Sequence, residues 1–169
     1  MGRPKAELTV GGVRLVDRAV AVLTVAGCAE VLVVARAGVR VSGARILVND
    51  APERGMRSSL DLAVNAAQGD ALAVLLVDTP GVSSDAVRAV IQAWVPGRIA
   101  VASYSGRRAH PIVMAPRLWR DALASAADDE GARALLAARA DLVDEIAVAG
   151  DPTDIDTEQD LARWAEPPP

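Results

Sequence analysis

The sequence predicts a single α/β domain built around a mixed, mostly parallel sheet, and three observations predict it. Runs rich in Val, Ile and Leu recur at 31–35, 45–48, 71–77, 99–103 and 146–148, separated by stretches of helical period. That alternation belongs to parallel α/β architectures. The runs are nearly continuous in hydrophobicity, which marks strands covered on both faces. No internal repeat, low-complexity linker or composition break divides the 169 residues, so 1–169 is expected to be one domain.

The elements follow in order. Leu15, Ala19, Val22 and Leu23 fall at helical spacing. Ser58 is placed to cap a helix that runs through Ala67. Val87, Val90, Ile91 and Trp94 again have helical spacing, behind a candidate N-cap at Ser83 or Ser84. Further helices are expected over 117–126, 130–138 and 157–164, and Pro167-Pro168-Pro169 reads as a frayed tail.

Composition narrows the partner. With 51% hydrophobic and 24% charged residues the chain can bury a substantial core. A net charge of -4 argues against a nucleic-acid binder, which needs clustered Lys and Arg. Phe is absent and aromatic residues make up 2%, too few for a base-stacking platform. A small-molecule partner is expected. Cys28 alone cannot form an internal disulfide, and one Cys with one His cannot build a structural zinc site, so any metal must be held by carboxylates. Arg3 and Lys5 are not followed by an apolar signal region, and the apolar runs are too short to span a membrane; the cytoplasm is the default compartment.

Five segments carry residues suited to chemistry. Leu75-Leu76-Val77-Asp78-Thr79-Pro80 reads as a buried strand ending in a carboxylate, and open α/β sheets bind ligands outside the carboxyl ends of their strands. Asp78 is thus a metal-ligand candidate, although Asp before a Pro-containing loop is also common turn punctuation. Asp151, Asp154, Asp156, Glu158 and Asp160 precede the last helix. One of them could complete a Mg²⁺ site, since Mg²⁺ takes one or two carboxylates plus phosphate oxygens; most must serve helix capping and the helix dipole.

Gly2-Arg3-Pro4-Lys5 offers close backbone approach and a point charge for phosphate, without the glycine spacing of a Walker A loop. Asn49 to Leu60 joins a loop bearing Gly55 to the hydroxyls of Ser58 and Ser59 at a helix start, where amide donors can meet an anion; a plain N-cap explains Ser58 equally. Arg107-Arg108-Ala109-His110-Pro111 reads as a basic turn holding the only His, suited to a phosphate ligand or simply solvated.

Taken in order, these pieces resemble the molybdenum-cofactor nucleotidyltransferases, the MobA-like NTP transferases with a Rossmann-like, three-layer GT-A-type fold. The similarity runs from Gly2-Arg3-Pro4-Lys5 and the Gly11-Gly12 turn to Asp154-Ile155-Asp156-Thr157. Between them lie Asn49 to Leu60, Asp78-Thr79-Pro80, Arg108-Ala109-His110-Pro111 and Asp129-Glu130-Gly131-Ala132-Arg133. The resemblance implies Mg²⁺ held by Asp78 and Asp156, catalytic roles for Lys5 and Asp78, and phosphate contact by Lys5. It also implies nucleotide or acceptor contacts from Gly2, Arg3, Asn49, Gly55, Ser58, Ser59, Arg108 and His110.

Pro4-Lys5 and the Arg-x-His-Pro turn look more like the cytidylyltransferase branch than the guanylyltransferase branch, which implies CTP over GTP and a molybdopterin acceptor. The implied partners extend to a molybdoenzyme or its maturation factor, with no nucleic acid and no membrane. Ala109 stands where the family has Gly. The resemblance further implies a first strand and a Gly-containing loop ahead of Met1, so the domain is expected to be shortened at its N-terminus, leaving two inner sheet edges open. Two rival readings are a sugar-1-phosphate nucleotidyltransferase on the same fold and a non-catalytic nucleotide- or partner-binding domain.

Overall fold

A computed structural model of the chain describes residues 4–125 and 132–165. A 3₁₀ turn at Lys5–Glu7 leads into a small hairpin, β1 (Thr9–Val10) and β2 (Val13–Arg14). Gly11 and Gly12 close it at φ 58° and 80°, left-handed values that favour glycine. There follow α1 (Leu15–Ala26), β3 (Leu32–Ala35), β4 (Arg45–Val48), α2 (Gly55–Ala66), β5 (Leu72–Val74) and α3 (Ser84–Ala93). The second half holds β6 (Ile99–Tyr104), β7 (Arg107–Met114), α4 (Pro116–Ser125), α5 (Arg133–Ala138), β8 (Val143–Ala147) and α6 (Glu158–Ala165).

The main sheet has the order β5-β7-β6-β8. β7 is antiparallel to both β5 and β6, and β8 is parallel to β6, so three of the four strands share one direction. β3 and β4 form a separate parallel pair. Among the described residues β3 and β5 therefore each have one β neighbour and one open edge.

Side chains of the main sheet alternate between two cores, as the pleat requires. Leu72, Val74, Ile99, Val101, Ile112 and Met114 pack with Leu60 and Val64 of α2 and with Leu118, Trp119 and Leu123 of α4. On the other face Ala73, Ala100, Ala102 and Val113 meet Val22, Leu23 and Ala26 of α1 and Val87 and Val90 of α3. Helices thus cover both faces, giving three layers. β6 is buried at every position, as its continuous hydrophobicity predicts, whereas β3 and β5 are only half-buried and β4 is exposed at both ends, so full burial of every apolar run does not hold.

Several sequence expectations need correction. The strand expected over 71–77 is paired only at Leu72–Val74, so Asp78 lies in a turn beyond the strand. The last pair is Val74 with Ile112; the next residue of β7 is Pro111, which has no N–H to extend the ladder. Arg107 to Pro111 is not a turn but the first part of β7, and the turn is Ser105-Gly106. Between the pairs Val101–Ile112 and Ala102–Ala109 the register shifts, so His110 and Pro111 fall in a bulge where a proline is tolerated. β8 starts at Val143, ahead of the apolar run at 146–148. Its Asp144 and Glu145 are carried by ion pairs to Arg98 and Arg108.

α2 begins at Gly55, so Ser58 is not its cap; the Ser58 hydroxyl donates back to the Gly55 carbonyl at 2.9 Å. Ser83 is the cap of α3, accepting from the Ala86 amide at 3.1 Å. Gly2, Arg3, residue 126, Asp129, Glu130, Gly131 and the Pro167-Pro168-Pro169 tail lie outside the described residues.

Candidate functional site

Three separate stretches of chain meet at one cluster of charge. The Lys5 Nζ donates to Asp78 Oδ2 at 2.8 Å and to Asp156 Oδ1 at 2.5 Å. These residues are 73 and 151 positions away from Lys5 in sequence, so only the tertiary fold can join them. A small hydrophobic cluster does the joining: Leu8, Val10, Leu15 and Ile155 are buried together, with Val77 packed against them. Leu8 follows Lys5 by one turn, Val77 precedes Asp78, and Ile155 precedes Asp156. Each charged residue thus has a neighbour anchored in the same apolar nucleus while its own side chain turns to the open side.

Backbone contacts fix the two carboxylate loops against each other. The Ile155 amide donates to the Asp78 carbonyl at 2.9 Å, and the Asp151 amide to the Gly81 carbonyl at 3.2 Å. Gly81 and Asp151 form an isolated antiparallel bridge. A Cβ on Gly81 would collide with the Asp151 carbonyl and the Trp164 ring, so this approach requires glycine.

The other acids near α6 have local duties. Asp160 accepts from the Thr157 amide at 2.8 Å while its own amide donates to the Thr157 hydroxyl at 3.1 Å, a reciprocal capping box at the helix start. The Thr157 contacts also hold the Asp160 carboxyl below its ordinary range. Asp151 accepts from the Thr153 amide and approaches Arg163 at 3.4 Å.

Burial alone would lower the Lys5 pKa, but the hydrogen bonds to Asp156 and Asp78 outweigh it, so the ammonium titrates above its ordinary value. Its side chain is 37% exposed, against 16% for Asp78 and 63% for Asp156. The cluster therefore opens to solvent on the Asp156 side. Of the 18 lysines and arginines in the chain, Lys5 is the only lysine. Its compact ammonium can enter between two carboxylates where a planar guanidinium would demand a different geometry.

The remaining expected site residues gather elsewhere. The buried Asn49 donates from Nδ2 to Ser58 Oγ at 2.9 Å and Ser59 Oγ at 3.0 Å, and its Oδ1 accepts from the Ala51 amide at 2.9 Å. This clasp ties the end of β4 to the first turns of α2, with Gly55 at φ 76° at the helix head. Arg108 is held on β8 by Glu145 at 2.7 Å, and the His110 carbonyl accepts from the Tyr104 hydroxyl at 3.0 Å. A cavity of about 760 Å³ lies between α1 and residues 40–43, lined by none of the Lys5, Asp78 or Asp156 side chains. Its Arg14 is already paired with Asp17 and bonded to the Arg40 carbonyl. Sequence reasoning missed Gly81 and the anchors Leu8, Val77 and Ile155; the apolar residue flanking each charged one was the available signal.

The three-layer α/β fold thus brings a lysine and two carboxylates together from three separate stretches of chain. The chain belongs to the MobA-like NTP transferase domain family, whose model matches residues 1–145. It is 36% identical to the nicotine blue oxidoreductase of Paenarthrobacter nicotinovorans, over 96% of this chain and 89% of that protein. The fold is similar to that of an Rv0371c homologue from Mycobacterium sp. strain JC1, with a TM-score of 0.84 and 27% identity over 98% of this chain and 88% of that one. It is also similar to Rv0371c of Mycobacterium tuberculosis H37Rv in complex with manganese, with a TM-score of 0.79 and 24% identity over 97% of this chain and 92% of that one. Among the described residues no helix is long and apolar enough to cross a membrane.

Proposed function

We propose that the chain is a cytoplasmic enzyme transferring a nucleoside monophosphate from an NTP, with CTP favoured, to a phosphorylated acceptor such as molybdopterin. The observation that carries this reading is the meeting of Lys5, Asp78 and Asp156 at one open-sided point in a chain of the NTP transferase family. In the reaction an oxygen of the acceptor's terminal phosphate attacks the α-phosphorus of the NTP. The bond to the bridging oxygen breaks, and pyrophosphate leaves with its electron pair.

The two carboxylates suit a divalent cation, because they already converge on one cationic group, the Lys5 ammonium. Among the described residues no group of three or more His, Cys, Asp or Glu could hold a metal. Two carboxylates agree with an ion such as Mg²⁺ that takes its remaining ligands from water and phosphate. Asp78 and Asp156 would hold it, and when bound it would neutralise phosphate charge. The solved relative in complex with manganese supports a divalent ion of this kind.

Lys5 would place a positive charge beside the triphosphate, and the rigid backing of Leu8, Val77 and Ile155 would keep the charged groups aligned as charge moves to the leaving pyrophosphate. Asn49, Gly55, Ser58 and Ser59 at the head of α2, Arg108 and His110 on β7, and Gly2 and Arg3 are proposed to contribute to nucleotide or acceptor binding. A molybdoenzyme or its maturation factor would receive the product.

A second reading follows from one observation: the relative at 36% identity is named for an oxidoreductase activity on nicotine blue. Two assays separate the readings. A nucleotidyltransferase releases pyrophosphate from CTP or GTP only when the phosphorylated acceptor and a divalent ion are present. An oxidoreductase changes the absorbance of nicotine blue when an electron donor is supplied and releases no pyrophosphate. Turnover with hexose 1-phosphates in place of molybdopterin would move the acceptor to the sugar-phosphate class. Nucleotide binding without either turnover would favour a non-catalytic domain.

A further inference from the structure

We propose that Lys5 is a built-in competitor for the metal: its ammonium holds the place between Asp78 and Asp156 that a divalent ion would take. The free chain then binds divalent ions weakly, and the ion enters together with the nucleotide, whose phosphates draw Lys5 aside. This rests on the reading of Asp78 and Asp156 as the metal-holding pair.

The geometry carries the argument. One ammonium donates to both carboxylates, at 2.8 Å and 2.5 Å, so a cation cannot bind both oxygens while Lys5 remains there. A divalent ion beside an ammonium would also place like charges in contact. The backbones bearing the carboxylates are anchored beside Val77 and Ile155 and each carboxylate sits on a single methylene, whereas the Lys5 ammonium hangs on a flexible four-carbon stem from a 3₁₀ turn with no buried residue. The movable member is therefore the lysine. Released, it needs an anionic partner, and a triphosphate supplies one within reach of the same cluster. Metal and nucleotide then strengthen each other's binding by the same factor. A chain that otherwise uses only arginine has lysine at the one position where a swinging point charge is required.

The test is Mn²⁺ binding to the full chain without nucleotide, followed by electron paramagnetic resonance. Lys5→Met is expected to bind Mn²⁺ at least about ten-fold more tightly than the unaltered chain. In the unaltered chain a non-hydrolysable CTP analogue is expected to raise Mn²⁺ affinity, and in Lys5→Met to raise it less. Equal Mn²⁺ affinity of the unaltered chain and Lys5→Met would overturn the proposal. If Asp78→Asn added to Lys5→Met leaves tight binding intact, the carboxylates are not the metal pair and the reading beneath the proposal fails instead. Should Lys5→Met not fold, the unaltered chain labelled with ¹³C-lysine decides, since its single lysine gives one set of side-chain signals. Those signals are expected to move when Mg²⁺ saturates the site, and fixed signals would overturn the proposal.

Discussion

Asp78 and Asp156 hold the Lys5 ammonium from two loops, yet the Lys5–Asp156 pair has little value for stability. Exposed ion pairs contribute about 0.2–1 kcal/mol, and Asp156 is 63% exposed. Asp78 was legible in the sequence because an apolar run, half-buried in the structure, delivers it to a loop. Asp156 could not be told from Asp151 or Asp160 by composition, and only the resemblance singled it out. In the structure Asp160 caps α6 and Asp151 bonds Thr153, while Asp156 faces Lys5. A residue-scale prediction concerns Tyr104, the single tyrosine, which is 5% exposed and whose burial pushes its pKa up to about 12. Because the folded value lies above the unfolded value of about 10, its contribution to stability is complete below about pH 10 and lost as pH rises toward the folded value. Near-ultraviolet titration of the folded chain should show tyrosinate appearing with a midpoint near 12; a midpoint near the unperturbed value would contradict the buried placement.

At the scale of elements, the loops bearing Asp78 and Asp156 depend on the contact of Gly81 with Asp151. Gly81→Ala inserts a Cβ against backbone that cannot yield cheaply, and overpacking of this kind costs about 1–3 kcal/mol. Denaturant unfolding should register that loss, and pyrophosphate release should fall by at least about ten-fold through misplaced carboxylates. An unaltered rate would mean the bridge does not set the site. Of the strands that hydrophobic runs announce, β3, β4 and β6 were read nearly to the residue, whereas β5 is shorter than its run and β8 starts ahead of its own. β7 was read as a turn because its first half, Arg107 to Pro111, carries two cations and a proline. That half is feasible as a strand because Glu145 pairs Arg108 and a bulge accommodates Pro111. β1 and β2 escaped because two residues are too few to set a period. The Asn49 contacts also depend on three-dimensional approach and were visible only as a suggestive spacing.

On the scale of the whole molecule, the main sheet divides its side chains between two cores, and Trp119 is the largest side chain completely enclosed in one of them. It is 1% exposed and its Nε1 donates to the Leu72 carbonyl at 3.0 Å, tying α4 to β5. Trp119→Ala is expected to cost about 3–5 kcal/mol, read as a lower denaturant midpoint; a cost below about 1 kcal/mol would contradict the packing. The three-layer arrangement was legible because buried strands and amphipathic helices alternate along the sequence. The division into a four-stranded sheet and the separate β3–β4 pair was not legible from periodicity, since it depends on which edges meet.

The central claim is that Asp78 serves nucleotidyl transfer rather than the fold. Its most direct test is Mg²⁺-dependent pyrophosphate release from CTP and molybdopterin, measured for the chain and for Asp78→Asn, with melting followed in parallel. The account predicts release by the unaltered chain and a fall of at least about 100-fold in Asp78→Asn, with the melting temperature little changed. Equal rates in the two proteins would contradict it.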